Sequence, residues 1–203
     1  PVVADVSQIQ WLERQGRAYG LLGLTRQCLQ AYKRLDTVKV MEALNGGRNV
    51  SGMDMCGLDL AKMDFRGASL YRARVDGADL SDSLLSGSET NLKHASLCGV
   101  VAPRADLTDA EMACCNLSKA VLRQAKLVGA NLSGSVMSEC TMSEAKMEGA
   151  KFNKATIKGA DMTGSDMQKC NMSYADLSDT NMSMADLRNA NMTNAILTGA
   201  MLP

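Results

Sequence analysis

From Leu107 to Leu202 every fifth residue is bulky and apolar, and the residue two places before each of them is small. The large series runs through Leu107, Leu127, Met147, Phe152, Met167 and Leu187, and the small series through residues such as Ala105, Cys115, Ser135 and Thr180. A helix with 3.6 residues per turn would smear a five-residue period around all its faces, and an extended strand needs a period of two. The chain must therefore turn once per pentad, carrying one large and one small side chain inward each time. One pentad cannot enclose its own apolar residue, so stacked pentads must share a continuous column.

The same spacing is found earlier, through Val50, Met55, Leu60, Phe65, Leu70, Val75, Leu80 and Leu85. The next centres, Leu92 and Leu97, lie seven and then five residues on, which predicts a two-residue insertion in a bulge near 86–91. A second interruption is expected near 98–104, where Ala102 takes a central position and Pro103 cannot donate to a ladder. Unchanged chemistry on both sides of these breaks predicts one imperfect solenoid over 48–203. Residues 1–47 have no pentad, and Leu24, Cys28, Leu35 and Val38 fall at helical intervals. Ser7 is a candidate N-cap and Asn45-Gly46-Gly47 a candidate stop, so this segment is expected to be a helical cap or arm over the first coil.

The recurring A-(D/N)-L-x-x pattern, as in ADLTD at 105–109 and ANLSG at 130–134, resembles the pentapeptide-repeat family. That resemblance implies an all-β solenoid, a right-handed quadrilateral β-helix with one pentad per side and four per coil. A weaker resemblance joins NGGRNVSGMDMCGLDL, at 45–60, and the proline-containing break after Leu97 to the pentapeptide half of BTB-domain (KCTD-type) adaptors. Those adaptors recruit substrates to ubiquitin ligases; the BTB domain is absent from this sequence, and the ligase role stays an alternative. The resemblance also covers bacterial members that mimic DNA and protect gyrase, but mimicry needs strongly acidic faces. Here 22 basic residues balance 22 acidic ones, with seven basic and four acidic in the first 49 residues.

The chemistry-bearing residues have structural readings. Cys115, Cys140 and Cys170 occupy the small inward position, where a free cysteine acts as a compact hydrophobe. Cys56 and Cys114 are expected to point outward, Cys98 falls in the interruption and Cys28 on the helix; no CxxC pair gives zinc spacing, so reduced thiols and no metal are expected. Sequons at Asn49, Asn116, Asn131, Asn171, Asn181 and Asn191 arise whenever the pentad writes Asn and then Ser or Thr. Regularly placed acids such as Asp106, Asp161, Asp166, Asp176 and Asp186 are expected to bond nearby backbone at the turns. Nine of the later central residues are Met and are expected to fill the core rather than bind copper. The single histidine, His94, has no Ser-His-Asp, phosphate-loop or HExxH setting, so no catalytic residue and no cofactor are expected.

Function is then expected on the outer sides, as a scaffold for protein–protein contact within a larger assembly, organellar or membrane-associated settings included. Residues twenty apart should share a side, so the lysine run Lys146, Lys151, Lys154, Lys158 divides among three sides and gives no nucleic-acid surface. Val121, Val136, Ile196 and Met201 replace the usual outward Asp or Asn, and Tyr174 and Met184 occupy other outward positions. Val136 with Ile196, and Val121 with Met201 on the next side, are expected to join into a contact patch; Trp11 and Tyr19 are further candidates. The last coil, ending at Met201-Leu202-Pro203, is expected to pair with another copy or another subunit. No stretch is long enough to span a bilayer, and the uncharged run 18–25 is far too short. A soluble, reducing setting is expected: cytoplasm, or an organelle interior if Pro1 follows a removed targeting peptide.

Overall fold

The computed structural model describes residues 36–203. Each pentad from Asn49 to Asn181 contributes one parallel bridge to the pentad above it in the next coil, as in Asn131 to Lys151 and Lys151 to Asn171. Partners are twenty residues apart over most of the chain, so four pentads close one coil and the cross-section has four sides. Two backbone bonds hold each rung: Leu132 N–H donates to Lys151 O at 2.8 Å, and Lys151 N–H donates to Ala130 O at 2.9 Å. Rungs therefore stack at the strand spacing of about 4.8 Å.

The pairing is only one residue wide because a turn follows every central residue. Ala130 N–H donates back to Leu127 O at 3.0 Å, and the third turn residue is left-handed throughout, with φ near 60° at Lys119, Lys154 and Asn189 and 67° at Gly129. A closing bond with a left-handed third residue describes a type II turn. Side-chain-bearing residues in that region are each strained by roughly 1 kcal/mol or more, and the ladder must over-determine them. The outward Asp and Asn residues help. Asn131 Oδ1 accepts from Ser133 N–H at 3.2 Å and Ser133 Oγ–H at 2.7 Å, and Asp161 Oδ1 accepts likewise from Thr163 at 3.1 and 2.6 Å. The aspartates thus fix turns, as their recurrence suggests. Hydrogen bonds from the Ser178 hydroxyl and N–H hold the Asp176 carboxyl below the usual range, and Arg66 does the same for Asp64.

Inside, Phe65, Leu127, Met147, Phe152 and Met167 are fully buried, and Leu107 is nearly so. Each burial contributes roughly 1.5–3 kcal/mol before entropy is subtracted. Leu187 departs from the expected core: it is half-buried, because it belongs to the last coil and no described residue covers its outer side. Polar residues in the small series are satisfied locally. Ser165 Oγ donates to Met162 O at 2.7 Å, Thr180 Oγ1 to Leu177 O at 2.7 Å, and Cys170 Sγ to Met147 O at 2.9 Å.

One coil is longer. Ser69 pairs with Asn91, and the next three bridges also span 22 residues, because two extra residues loop out between Gly87 and Thr90. Thr90 takes the buried small position, accepting from Gly67 N–H at 2.8 Å and donating to Ser86 O at 2.9 Å. Deleting Ser88 and Glu89 leaves Thr90-Asn91-Leu92 in phase with Leu85, so the shortened protein is expected to keep its circular dichroism and to melt within about 2 °C of the parent. A melting temperature lowered by 8 °C or more would assign these residues a structural role.

The second interruption, expected at 98–104, is absent. Val101 bridges both Asp79 and Val121, Ala102 points inward, and Pro103-Arg104 form an ordinary turn with Arg104 at φ 57°. Proline suits the second position of a type II turn, where φ is near −60° and the ladder does not use its nitrogen. Ala102 is a small residue in a large position, but Val100 supplies bulk from the small position beside it, and both are buried. The remaining void is about 10 Å³, lined by Leu97, Ala102 and Leu122 among others. That space does not admit three more carbons, so Ala102→Leu alone is expected to destabilise by about 1–3 kcal/mol, and Val100→Ala with Ala102→Leu to lie within about 1 kcal/mol of the parent in urea titration.

At the other end, helix α1, residues 36–45, buries Val40 and Leu44 in the same core and stops at Gly46-Gly47, with Gly46 N–H bonded to Glu42 O at 2.8 Å. In the first coil the small positions hold Met53, Leu58 and Met63, and Met53 and Leu58 share a cleft with Asp36 and Lys39 of α1. The rest of the expected helical segment, including Ser7, Trp11, Tyr19, Leu24, Cys28 and Leu35, lies outside the described residues.

Candidate functional site

Every outward side chain has a fixed address on this scaffold: a side, set by its pentad, and a height, set by its coil. Val136 and Ile196 do share a side, but Thr156 and Asp176 stand between them in the ladder. Val121 and Met201 are likewise separated by Thr141, Asp161 and Asn181. The expected patch therefore does not form, since three or four rungs hold its members roughly 14–19 Å apart. Val121, half-buried, meets Val101 instead, and Val101 is exposed. Val101 was hidden in the sequence by the apparent break around it.

A different cluster forms at the last coils. Ile196 and Met201 are 53% and 54% exposed and Leu202 is 51% exposed. Tyr174 and Met184 are 61% and 83% exposed, at left-handed turn tips with φ of 59° and 61°. Tyr174 N–H donates to Thr193 O, which stacks its turn against the one leading to Ile196. Met182 N–H donates to Met201 O, which brings the Met184 turn against Met201 and Leu202. These exposed apolar residues thus spread over two adjacent sides, with Tyr174 and Met184 at corners two pentads apart. Glycine or asparagine would relieve the backbone at both tips, whereas Tyr and Met keep the strain and face solvent.

The last described coil also has an unpaired rim. The N–H groups of Leu187, Met192 and Leu197 and the carbonyls of Ala185, Ala190 and Ala195 form no backbone hydrogen bond among the described residues. Each lower coil uses these same groups to bind the coil above it, as Leu177 N–H does with Ile196 O at 2.8 Å. Half-buried Met192, Leu197 and Ala200 lie within this rim. A further coil, a second copy or another chain would meet the same donors and acceptors.

Titratable groups assemble no reaction centre among the described residues. His94 is exposed, with its ring edge-on to Tyr71 at 5.8 Å, and Arg72 lies over the Tyr71 ring at 5.2 Å. No group of three or more His, Cys, Asp or Glu among the described residues could hold a metal ion. Burial pushes the thiols of Cys115, Cys140 and Cys170 up to about 12, far from the thiolate range a nucleophile needs. Cys114 is exposed, while Cys56 and Cys98 are half-buried. No helix among the described residues is long and apolar enough to cross a membrane.

The lysine run divides among the sides as expected, and Lys158 pairs with Asp179 at 3.7 Å. A juxtaposition invisible in linear sequence replaces it: Lys126 and Lys146, twenty residues apart, are bridged partners on one side.

A family model described as pentapeptide repeats matches residues 49–87, 88–124, 115–153, 142–168 and 170–203, in eight copies. Among solved structures, trypsin-treated QnrB1, a plasmid-mediated fluoroquinolone resistance protein, is 21% identical over 76% of this chain and 79% of its own, with a TM-score of 0.44. HetL, involved in heterocyst differentiation regulation in the cyanobacterium Nostoc, is 22% identical over 79% and 92%, with a TM-score of 0.25. A pentapeptide repeat protein from the Arabidopsis thaliana thylakoid lumen is 26% identical over 56% and 65%, with a TM-score of 0.22. Among curated proteins nothing matches this chain significantly.

Proposed function

Because this chain belongs to the pentapeptide-repeat family, we propose that it is a non-catalytic rod that presents fixed outer positions to other proteins within a larger assembly. The observation that carries this reading is the cluster of Tyr174, Met184, Ile196, Met201 and Leu202. Five large apolar side chains are exposed within the last coils, two of them at turn tips, whereas the earlier coils expose single valines such as Val101 and Val136. Aromatic and methionine anchors of this kind are enriched in contact surfaces. Non-catalysis is supported by inert buried thiols and by carboxylates engaged in turn bonds.

The segment before the first coil acts in this reading as its cover, with Val40 and Leu44 of α1 already in the core. The opposite rim is the place where another copy or a different subunit pairs, through the N–H groups of Leu187, Met192 and Leu197 that no described residue's backbone engages. Crosslinking of the native protein followed by mass spectrometry tests the proposal. Partner crosslinks should concentrate on the described residues 169–203; crosslinks spread evenly over all coils would contradict it.

A further inference from the structure

The outward position of the pentad is built for a residue that caps its own turn. Aspartate or asparagine there accepts the N–H two residues on, as Asp106 does from Thr108 at 3.1 Å and Asp166 from Gln168 at 3.2 Å. Among the described pentads, lysine takes this position only at Lys126, Lys146 and Lys151. Lysine has no acceptor, so each of these turns forgoes its side-chain bond. The three are also neighbours: Lys126 and Lys146 are bridged across one rung, and Lys151 is the outward residue of the next pentad, around one corner.

Like charges directly opposite across a rung are unfavourable. Elsewhere on the surface cations meet acids of a neighbouring coil, as Arg104 meets Asp82 at 2.7 Å and Lys169 meets Glu148 at 2.7 Å. Lys126, Lys146 and Lys151 are exposed and form no ion pair within 4 Å among the described residues, although Glu111, two rungs from Lys151, feels its charge. Two acids reach their corner, Glu148, which is drawn away to Lys169, and Asp109, whose carboxylate lies against Gly129, while the upper part of the corner holds Gly149. Asp106 and Asp166, bridged to Lys126 and Lys146, bound the site below and above, so it suits a short run of negative charge.

We propose that Lys126, Lys146 and Lys151 form a docking site for a short acidic segment of a partner protein, whose carboxylates sit across the Lys126–Lys146 rung and pass the open Gly149 edge of the corner toward Lys151. The rung fixes the lysine stems about 4.8 Å apart while their flexible ends converge on the incoming carboxylates. The site uses a different side and height from the apolar cluster. It rests on the reading of this chain as a protein-binding rod and names the chemistry of one partner element.

The test uses the full chain and a fluorescent peptide of about twelve alternating Glu and Gly residues, at low ionic strength. The variant Lys126→Asn, Lys146→Asn, Lys151→Asn restores the turn acceptors, so its melting temperature should equal or exceed the parent's while peptide affinity falls about tenfold. A charge-matched control, Lys62→Asn, Arg123→Asn, Lys154→Asn, should keep its affinity within twofold. Equal losses in both variants, or equal binding of a Gln-Gly peptide, would overturn the proposal. So would tighter binding of an oligonucleotide or of anionic-lipid vesicles than of the acidic peptide. If peptide binding fails while partner crosslinks still map to residues 169–203, this site alone is refuted.

Discussion

Phe152→Ala is expected to lower stability by about 3–5 kcal/mol, the upper range for a buried aromatic. Phe152 is fully buried, with Leu132 below and Met172 above it on the same side. A globular core recovers part of such a loss by collapsing into the hole. This one cannot, because Phe152 N–H is bonded to Asn171 O at 2.7 Å and Lys151 N–H to Ala130 O at 2.9 Å, which fixes coil spacing whatever the side chain. Cavity cost rises as relaxation falls. At this chain length the melting temperature should drop by roughly 10 °C, while Phe152→Leu should cost under about 2 kcal/mol. Coils in a solenoid touch only their neighbours, so hydrogen exchange should quicken first in the coils around residue 152. A change in melting temperature below 2 °C would show that the column is not the main source of stability.

The architecture was legible because the repeat states the same demand at every pentad. A large residue, a small one two before it and an acceptor between them are what a type II corner on a stacked rung requires. Residues 98–104 look like a break because Ala102 is small for a central position and Pro103 lacks a donor. Taken with Val100, the same pentad keeps its inward volume and puts proline where a turn accepts it. Leu187 has the same local sequence as buried Leu177, and only its height in the stack makes it half-exposed.

The surface was less legible, because adjacency on a four-sided stack is set by differences of twenty and of five together. Val136 and Ile196 share a side without touching, whereas Lys126 and Lys146 meet although a full coil of sequence separates them. The left-handed backbone under Tyr174 and Met184 was not visible from residue type at all. What makes these two residues informative is their side chains, since the other described turn tips hold glycine, cysteine or a polar or charged residue.

Removing the apolar cluster should therefore separate stability from contact. In Tyr174→Gly, Met184→Gly, Ile196→Asn, Met201→Asn, the two glycines relieve left-handed strain and the asparagine at 196 supplies an acceptor for Thr198 N–H, while Met201→Asn removes apolar surface only, since Pro203 has no N–H to donate. The variant should melt at or a few degrees above the parent's temperature. Its contact surface loses one aromatic, two methionines and an isoleucine, and truncating anchors of this kind typically costs 2 kcal/mol or more each, so affinity for a partner engaging the cluster should fall at least about a hundredfold.

The most direct measurement pairs that variant with the parent protein, comparing quantitative recovery of the native partner alongside thermal melting of each. The rod reading predicts that the parent retains its partner, and that the variant loses it while folding as stably or better. Full partner recovery by a stably folded variant would contradict the assignment of contact to the last coils.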